Sequence, residues 1–392
     1  MIDFPATPTV GQVFTSGGQS WTWDGTKWLP AGLYGGPFVP QAGFVPAMND
    51  NRIINGDMRI DQRNNGAGGT ANSYTVDRWL YGCSVVGKGV WQRFGPYNLP
   101  DVPFAYILQF TSSGVSTPAA GDSYQFAQLI EADMISDFQW GIATAKPVTL
   151  SFWAYANLAG TYSGAISNFA SDRGYPFSFA LPASVWTKVV VTIPGDTGGT
   201  WVMAGNAGAA ALHFDLGSGS SVRAPAGAWT NGAIVGASGA QNILSVNGGF
   251  FSFTGVKLEV GSVATPFNRQ SLAASLADCQ RYYEKSYDYG ISPGATSQNN
   301  GSFLLYATGL TATANNLSTY IAYKVSKRAA PTVTMYSTIS GAAGKLYSAN
   351  ASADVTATVF AGGMTGISVY GAETQAISNV NLRGHWTSLA EL

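Results

Sequence analysis

The sequence is poor in charge, and this limits the partners that it can bind through bulk electrostatics. Aspartate, glutamate, lysine and arginine make up only 10% of its 392 residues, and the formal net charge is -1. An average chain is about a quarter charged. Basic residues do not cluster, so nucleic-acid binding is not predicted. Low charge suits surfaces that contact each other, which favours an oligomer within a larger assembly.

Histidine and cysteine are also scarce. His213 and His385 are too few for a metal site with several imidazoles, and no cluster of cysteine and histidine exists. Cys83 and Cys279 lie far apart and do not make a disulfide framework. No phosphate-binding loop, dinucleotide fingerprint or nucleophile elbow is present. We therefore expect neither a metal nor a cofactor.

Long apolar segments are missing as well. No run of about 18 apolar residues exists, so no membrane insertion is predicted. The first five residues lack the basic and apolar regions of a signal peptide. The sequence thus predicts synthesis in the cytoplasm without a signal for export.

Glycine, aromatic residues and short polar residues take the place of charge. There are 48 glycines, and aromatic residues reach 13%. They alternate with Val, Ile, Ser and Thr, a pattern that favours strands and tight turns over helices. We predict a mainly β protein of two or three domains.

Residues 1–49 are predicted to form a small β module and a linker. Residues 12–15 and 20–23 alternate as short strands, and Asp24-Gly25 is a strong hairpin signal. Residues 30–49 are rich in proline and glycine, which is typical of an extended linker.

The small module holds three tryptophans, Trp21, Trp23 and Trp28. A piece of this size is not expected to bury them all. Exposed aromatic residues mark interaction surfaces, so we expect them to contact a partner. The alternative is that they pack on the neighbouring domain.

Residues 50–269 carry many short strands separated by turn clusters. Clear examples are residues 105–110, 148–155, 187–193 and 249–258. This regular spacing predicts a two-sheet sandwich of the jelly-roll type. Within it, a helical turn is indicated only at residues 128–138.

A short helix is predicted at residues 271–283, within a segment 270–285. Ser271 suits the N-cap. One face of the helix is apolar, and its members are Leu272, Leu276, Cys279 and Tyr283. So short a helix is not stable alone. The stripe packs either on its own domain or, through Leu272, Leu276 and Tyr283, on identical chains near a symmetry axis.

Residues 286–392 are predicted to form a C-terminal β-domain. Residues 319–325 and 331–336 alternate well, and residues 384–392 suggest a final strand that closes a sheet.

Carboxylates are the only side chains in the sequence that suggest a possible catalytic role. Glycoside hydrolysis needs two of them roughly 5–10 Å apart, and Glu131, Asp133 and Asp137 are candidates. Neither histidine is expected to be catalytic. We expect a protein that is not an enzyme.

Four ordered stretches resemble a family of tail proteins from bacteriophages and prophages. They are residues 10–12 with 21–28, 51–64 with 74–79, 147–153 with 191–201, and 255–267 with 278–283. The resemblance spans most of residues 10–285. It implies a structural virion component, namely a tail fibre or receptor-binding protein located in the phage tail.

Residues 55–59 and 253–259 are also similar to the opening and closing strands of jelly-roll carbohydrate-binding modules. Many such modules hold a structural calcium ion through carboxylates on these strands. Arg59 and Thr254 stand where those carboxylates would be expected, so neither the calcium nor the sugar site is carried over.

The resemblance implies partners for each part of the chain. Residues 1–49 would attach to other tail or baseplate proteins through Trp21, Trp23, Asp24 and Trp28. Tail fibres of this kind are commonly homotrimers. Two alternatives stay open: a purely structural tail, baseplate or decoration protein without a receptor, and a glycan-depolymerising tail spike.

Host recognition is expected in the distal residues 284–392, on a saccharide of the cell surface. Aromatic faces stack on sugar rings, and short polar side chains pair with hydroxyls. Tyr287 and Tyr289, in a loop region rich in glycine and serine, are the favoured contacts. The low charge suits a neutral glycan, and the jelly-roll at 50–269 is the rival site.

Deleting residues 1–49 is expected to leave a folded, soluble remainder that no longer joins virions, because the attachment tryptophans are lost. Circular dichroism checks the fold, and immunodetection of the truncated chain in purified particles checks incorporation. Normal incorporation would contradict the prediction.

Overall fold

The structure, a computed structural model, describes residues 4–10, 12–16, 19–23, 26, 28–31, 51–97, 102–308, 315–373 and 379–392. Contacts divide the chain into two compact units, Met1–Met48 and Asn49–Leu392. No helix in these ranges is long and apolar enough to cross a membrane.

The first unit is a three-stranded antiparallel sheet. Its strands are β1 (Val13–Ser16), β2 (Gln19–Trp23) and β3 (Trp28–Ala31). The register pairs Phe14 with Trp21 and Trp23 with Trp28, so the strands follow the predicted alternation.

Aromatic rings form the core of this small sheet. Trp21 is buried, whereas Trp23 and Trp28 are half-buried. The rings of Phe4 and Trp28 stack with centroids 5.2 Å apart, and Phe14 lies 6.2 Å from Trp21. Trp21 therefore packs on Phe4 and Phe14, and Trp23 packs on Trp28. Of the three tryptophans that were expected to be exposed, Trp23 and Trp28 stay partly open. Asp24 lies outside the described residues.

The second unit begins with an antiparallel β-sandwich. Its strands in chain order are β4 (Ser73–Val76), β5 (Trp79–Cys83), β6 (Gly89–Phe94), β7 (Ile107–Ser112), β8 (Tyr124–Glu131), β9 (Val148–Ala156), β10 (Gly160–Asn168), β11 (Arg173–Leu181), β12 (Thr187–Ile193), β13 (Gly208–Asp215), β14 (Arg223–Ala224), β15 (Thr230–Asn231), β16 (Gly236–Ala237) and β17 (Phe250–Val260). One sheet has seven strands in the order β15-β11-β10-β13-β8-β5-β4, and the other has five in the order β12-β9-β17-β7-β6. The predicted mainly β sandwich is confirmed.

Aromatic side chains fill the space between the two sheets. Phe214 of the seven-stranded sheet lies 4.5 Å from Phe253 of the five-stranded sheet, between ring centroids. Trp79 meets Phe253 edge-on at 5.1 Å. All three are fully buried, and burial of each such side chain stabilises the fold by about 1.5–3 kcal/mol.

The outer face of the seven-stranded sheet is covered by the chain itself. The short parallel pair β14 and β16 lies over strands β10, β11 and β13. Arg223 donates from Nε to Asp215 Oδ2 at 2.7 Å, which fastens the covering segment to the sheet. Ile234 and Val235 are buried beneath it. Much of this face is therefore closed to a ligand.

The predicted helical turn at 128–138 is only partly helical. Its first residues complete strand β8, which ends at Glu131, and a single turn of helix α1 (Ala132–Ile135) follows, then a 3₁₀ turn (Ser136–Phe138). The first residues extend because their backbone pairs with β13.

The helix predicted at 271–283 is shorter, α2 (Leu272–Gln280). Ser271 caps it as expected, since its side chain accepts a hydrogen bond from the Ala274 N–H. The interpretation of Tyr283 as part of the helical stripe is wrong. Tyr283 begins the next strand, because its backbone pairs with Leu389.

The C-terminal part is a curled antiparallel sheet with its own core. Its strands are β18 (Tyr283–Lys285), β19 (Phe303–Thr308), β20 (Asn315–Ala322), β21 (Thr332–Ser337), β22 (Lys345–Ser348), β23 (Ala353–Gly362), β24 (Gly366–Glu373) and β25 (Asn379–Leu389). β25 pairs with β18, β19, β21 and β22. The last predicted strand is thus longer than residues 384–392 and is central to the sheet. Leu305, Leu346 and Leu382 are among its buried residues.

Ionic contacts join the C-terminal part to the sandwich. Glu391 is buried and pairs with Arg63 at 2.8 Å and with Arg78. The guanidinium of Arg78 also lies 3.5 Å from the centre of the Tyr282 ring. Both parts consequently belong to one compact unit.

His213 lies under the covering segment and is 8% exposed. Its Nδ1 is 2.7 Å from Gln125 Oε1, and its Nε2 is 2.9 Å from Ser167 Oγ. The nearby carboxylate of Asp215 is paired with Arg223. Burial lowers the pKa of His213 to about 4, so the imidazole is neutral in the folded chain.

Replacing His213 with Asn is expected to make the free energy of unfolding less dependent on pH between pH 6.5 and pH 4. The imidazole protonates near pH 6.5 in the unfolded chain but only near pH 4 in the folded chain. The unfolded chain binds more protons between these values, so this residue lowers the free energy of unfolding by about 3 kcal/mol as pH falls from 6.5 to 4. Urea unfolding at a series of pH values measures the slope, and equal slopes for wild type and variant would contradict the prediction.

Candidate functional site

The outer face of the five-stranded sheet, here called the candidate face, carries half-buried aromatic side chains. It is exposed along the edge strand β12, whereas Ser252 and Thr254 at its centre are buried. Along β9, Trp153 and Tyr155 point outward because successive side chains alternate between faces. The register places Lys188 of β12 beside Trp153, and Ser252 of β17 beside Tyr155. Five strands at about 4.8 Å spacing make this face roughly 19 Å across.

One recess on the candidate face, the aromatic recess, has a volume of about 290 Å³. Within it, the ring of Tyr155 stacks on that of Phe250 with a centroid distance of 5.7 Å and an angle of 11°. Trp186 lies 5.3 Å from the same ring. The residues that line the recess are Phe94, Tyr97, Ile107, Gln109, Tyr155, Trp186, Phe250 and Ser252.

Polar groups at the aromatic recess are held in fixed orientations. Ser252 Oγ donates to Gln109 Oε1 at 2.8 Å, and Gln109 Nε2 donates to Thr111 Oγ1 at 2.9 Å. Ser252 itself is buried, and its hydroxyl orients the half-buried Gln109 side chain. The recess therefore combines flat apolar rings with a few oriented hydrogen-bonding groups.

A second recess, the basic recess, has a volume of about 460 Å³ and lies beside Trp153. Lys188 and Arg269 contribute two exposed cations to it. Its lining residues are Pro103, Phe104, Ser151, Phe152, Trp153, Lys188, Gly255, Thr265, Pro266, Phe267 and Arg269. Trp153 and Tyr155, two residues apart on one strand, place the two recesses on the same face.

A β-bulge shapes the basic recess. The pairing of β17 with β9 shifts register between Thr254 and Lys257. Gly255 in this bulge has a φ of +65°, and a Cβ there would lie 2.3 Å from the Phe104 ring. Only glycine lets Phe104 pack so closely, and Phe104 then meets Phe267 edge-on at 4.9 Å.

A buried ion pair holds the wall of the basic recess. Lys257 Nζ lies 3.0 Å from Glu259 Oε2 and donates to the Pro266 carbonyl at 3.2 Å. Glu259 in turn accepts from the Thr265 N–H at 2.8 Å. Lys257 is therefore an internal support, and its ammonium is not free for a ligand.

The three carboxylates suggested for hydrolysis lie outside both recesses. Glu131 is buried and accepts two hydrogen bonds from Arg281, at 3.0 and 2.8 Å. Asp137 pairs with Arg52 at 2.8 Å, whereas Asp133 is exposed. No carboxylate or histidine is among the described residues that line the two recesses.

Arg59 stands where the sequence resemblance leads one to expect a calcium ligand, and the structure pairs it within the chain. Its Nε lies 3.2 Å from Asp57 Oδ2, and its Nη2 donates to the Gln270 carbonyl at 2.7 Å. Burial raises the pKa of Asp57. Thr254 is fully buried. Over the described ranges, no three side chains of His, Cys, Asp or Glu come close enough to hold a metal ion.

Tyr287 and Tyr289 fasten their segment to the rest of the unit. Tyr287 is 4% exposed and stacks on His385 with ring centroids 3.8 Å apart. The Tyr289 hydroxyl accepts from the Asp61 N–H and donates to the Arg59 carbonyl, both at 2.8 Å. Neither residue lines the two recesses, and Tyr287 offers little ring surface to a ligand.

The residues suggested for contacts between chains are not on one surface. Leu272 is exposed and Leu276 is half-buried on α2, whereas Tyr283 is buried in β18. The guanidinium of Arg63 lies 3.8 Å from the centre of the Tyr283 ring. Tyr283 is thus used within its own chain.

Sequence reasoning treated the aromatic residues of the candidate face as strand residues only. Trp153 and Tyr155 could have indicated the site from the sequence, because these two large aromatic residues alternate with core positions of one strand. The contributions of Phe94, Trp186 and Arg269 carried no such signal, since they come from distant segments brought together by the fold.

No protein-family model matches the chain, and a comparison with curated proteins finds no match. Similar solved structures are carbohydrate-binding modules. One, described as "CBM4 structure and function", is 15% identical and covers 53% of this chain and 98% of its own, with a TM-score of 0.27. A family 11 module of a Clostridium thermocellum cellulase is 11% identical and covers 50% and 96%, with a TM-score of 0.25. A xylan-binding domain from Paenibacillus barcinonensis is 9% identical and covers 50% and 95%, with a TM-score of 0.23.

Replacing Gly255 with Ala is expected to destabilise the protein by about 2–4 kcal/mol, because a methyl group collides with Phe104 and the positive φ is strained. Gly87, with a φ of +81° and open space around it, is the matched control, and its change to Ala should cost only about 1–2 kcal/mol. Urea unfolding measures both. Equal losses would show that Phe104 does not depend on Gly255.

Proposed function

We propose that this chain binds an oligosaccharide on the candidate face. The observation that carries the proposal is the pair of half-buried rings Trp153 and Tyr155, which line two recesses on the outer side of a sheet. Aromatic side chains that line a recess beside polar groups are typical of a ligand-binding surface.

The chemistry of the face suits sugars. Pyranose rings present apolar C–H surfaces that pack on aromatic rings, and their hydroxyls need oriented donors and acceptors. Tyr155 and Phe250 supply rings, whereas Gln109, held by Ser252, supplies an oriented amide. A face roughly 19 Å across suits several linked sugars better than a single one.

We further propose that the chain binds without catalysis. Glycoside hydrolysis needs two facing carboxylates, and the nearby Glu259 is occupied by Lys257 and Thr265. The described lining offers rings, amides, hydroxyls and cations, which are groups for recognition.

The proposed site lies on the sandwich and not in residues 284–392. A second candidate location is the C-terminal sheet, because it exposes Tyr306, Tyr320 and Phe360 by more than half of their surface. The candidate face is favoured because its aromatic residues meet at recesses together with polar groups.

The wider role that we propose is that of a phage tail protein that presents this face to the host cell. Its support is the ordered set of sequence motifs and the separate N-terminal unit with half-buried Trp23 and Trp28. Assembly into a homotrimer is part of the same proposal and would bring several candidate faces to one cell surface.

Replacing Tyr155 or Trp153 with Ala is expected to weaken oligosaccharide binding by roughly tenfold or more, since each ring contributes about 1–3 kcal/mol of stacking and burial. The measurement is binding of the full-length chain to an array of bacterial surface oligosaccharides. Circular dichroism confirms that each variant is folded.

The matched control is Ala at Tyr306 and Tyr320 of the C-terminal sheet, which should bind as wild type does. Loss of binding in this control alone would move the site to the C-terminal sheet. Absence of binding by wild type to every glycan on the array would contradict the proposed function.

A further inference from the structure

We propose that the oligosaccharide carries an anionic group, which Lys188 and Arg269 bind in the basic recess. This inference rests on the proposed function and adds the charge class of the ligand. It differs from the neutral glycan that the composition favours.

The first argument is the unbalanced charge of the basic recess. Two cations line it, and no carboxylate is among its described lining residues. Beyond the backbone pairing of its strand, Lys188 has no ion pair or side-chain hydrogen bond with the described part of the chain. Such an excess is unusual in a chain with 20 basic and 21 acidic residues, in which arginines such as Arg78 and Arg223 are paired with carboxylates.

The second argument is the state of Arg269. One N–H of its guanidinium is used by the Pro103 carbonyl, and the group lies 5.5 Å from the centre of the Phe104 ring. These contacts orient the planar group and leave its other N–H groups without a described partner. A guanidinium held in this way suits a carboxylate or a phosphate, which accept two parallel hydrogen bonds. Asp57 is near enough to feel the charge of Arg269, but it pairs with Arg59 and does not line the recess.

The third argument is the position of the cations relative to the rings. The register sets Lys188 directly beside Trp153. A sugar stacked on Trp153 therefore brings its substituents to the ammonium group. The aromatic recess contains no charged lining residue. A neutral part of the ligand therefore suits the aromatic recess, and an acidic part suits the basic recess.

The test compares wild type with Lys188→Gln, Arg269→Gln and the double variant on an array that holds neutral, uronic-acid, sialylated and phosphorylated oligosaccharides. Lys324→Gln, at an exposed lysine of the C-terminal part, is the control. We expect wild type and the control to prefer acidic glycans. Each single variant should lose about tenfold in affinity for them, as is typical of a charge-assisted hydrogen bond. The classes that bind identify the anion as a carboxylate or a phosphate.

A second measurement uses the best uronic-acid ligand before and after chemical reduction of its carboxyl groups to alcohols. Wild type should lose about tenfold, and the double variant should bind both forms equally. Salt should weaken binding of the acidic form more than that of the reduced form.

The outcomes separate the two proposals. Preference for neutral glycans, or acidic binding that the double variant retains, overturns the anionic ligand and leaves saccharide binding in place. Absence of binding to every glycan overturns both.

Discussion

The second unit depends on a buried carboxylate, that of Glu391, between two arginines of the sandwich. Arg63 and Arg78 are themselves packed on Tyr283 and Tyr282, so the ion pairs and the aromatic rings form one contact region. Removing one partner of a buried pair costs about 3–5 kcal/mol, because the remaining charge is left uncompensated. This contact holds the C-terminal sheet on one side of the sandwich. Tyr282 and Tyr283 at this junction pack on the arginines.

The outer faces of the two sheets of the sandwich differ, because the chain covers them to different extents. One sheet is covered on its outer side by the segment around β14 and β16. The other sheet is only partly covered, and its bulge at Gly255 and the buried pair of Lys257 and Glu259 shape a recess instead of filling it. A single face therefore combines half-buried rings, an oriented amide and cations without a carboxylate partner.

Regular spacing of short apolar and alternating segments was sufficient to predict the sandwich, although β13 and β17 are buried on both faces. The positions of β9, β12 and β17 follow from it directly. The end of α2 could not be predicted locally, since pairing of Tyr283 with Leu389 overrides the helical pattern. The role of Tyr289 depends on Arg59, more than 200 residues away, and that of Tyr287 depends on the distant His385. The candidate face was missed for the same reason, as its walls come from β6, the loop before β12 and the segment after β17.

The alternation of inward and outward residues along strand β9 affects how the sequence of such a protein can evolve. Its inward positions, such as Phe152 and Ala154, are constrained by the core, whereas the outward Trp153 and Tyr155 are not. Stability and the proposed recognition therefore depend on alternating residues of one short segment. If the proposal holds, substitutions at the outward residues can change the ligand while the inward residues preserve the fold, so specificity can diverge without loss of stability.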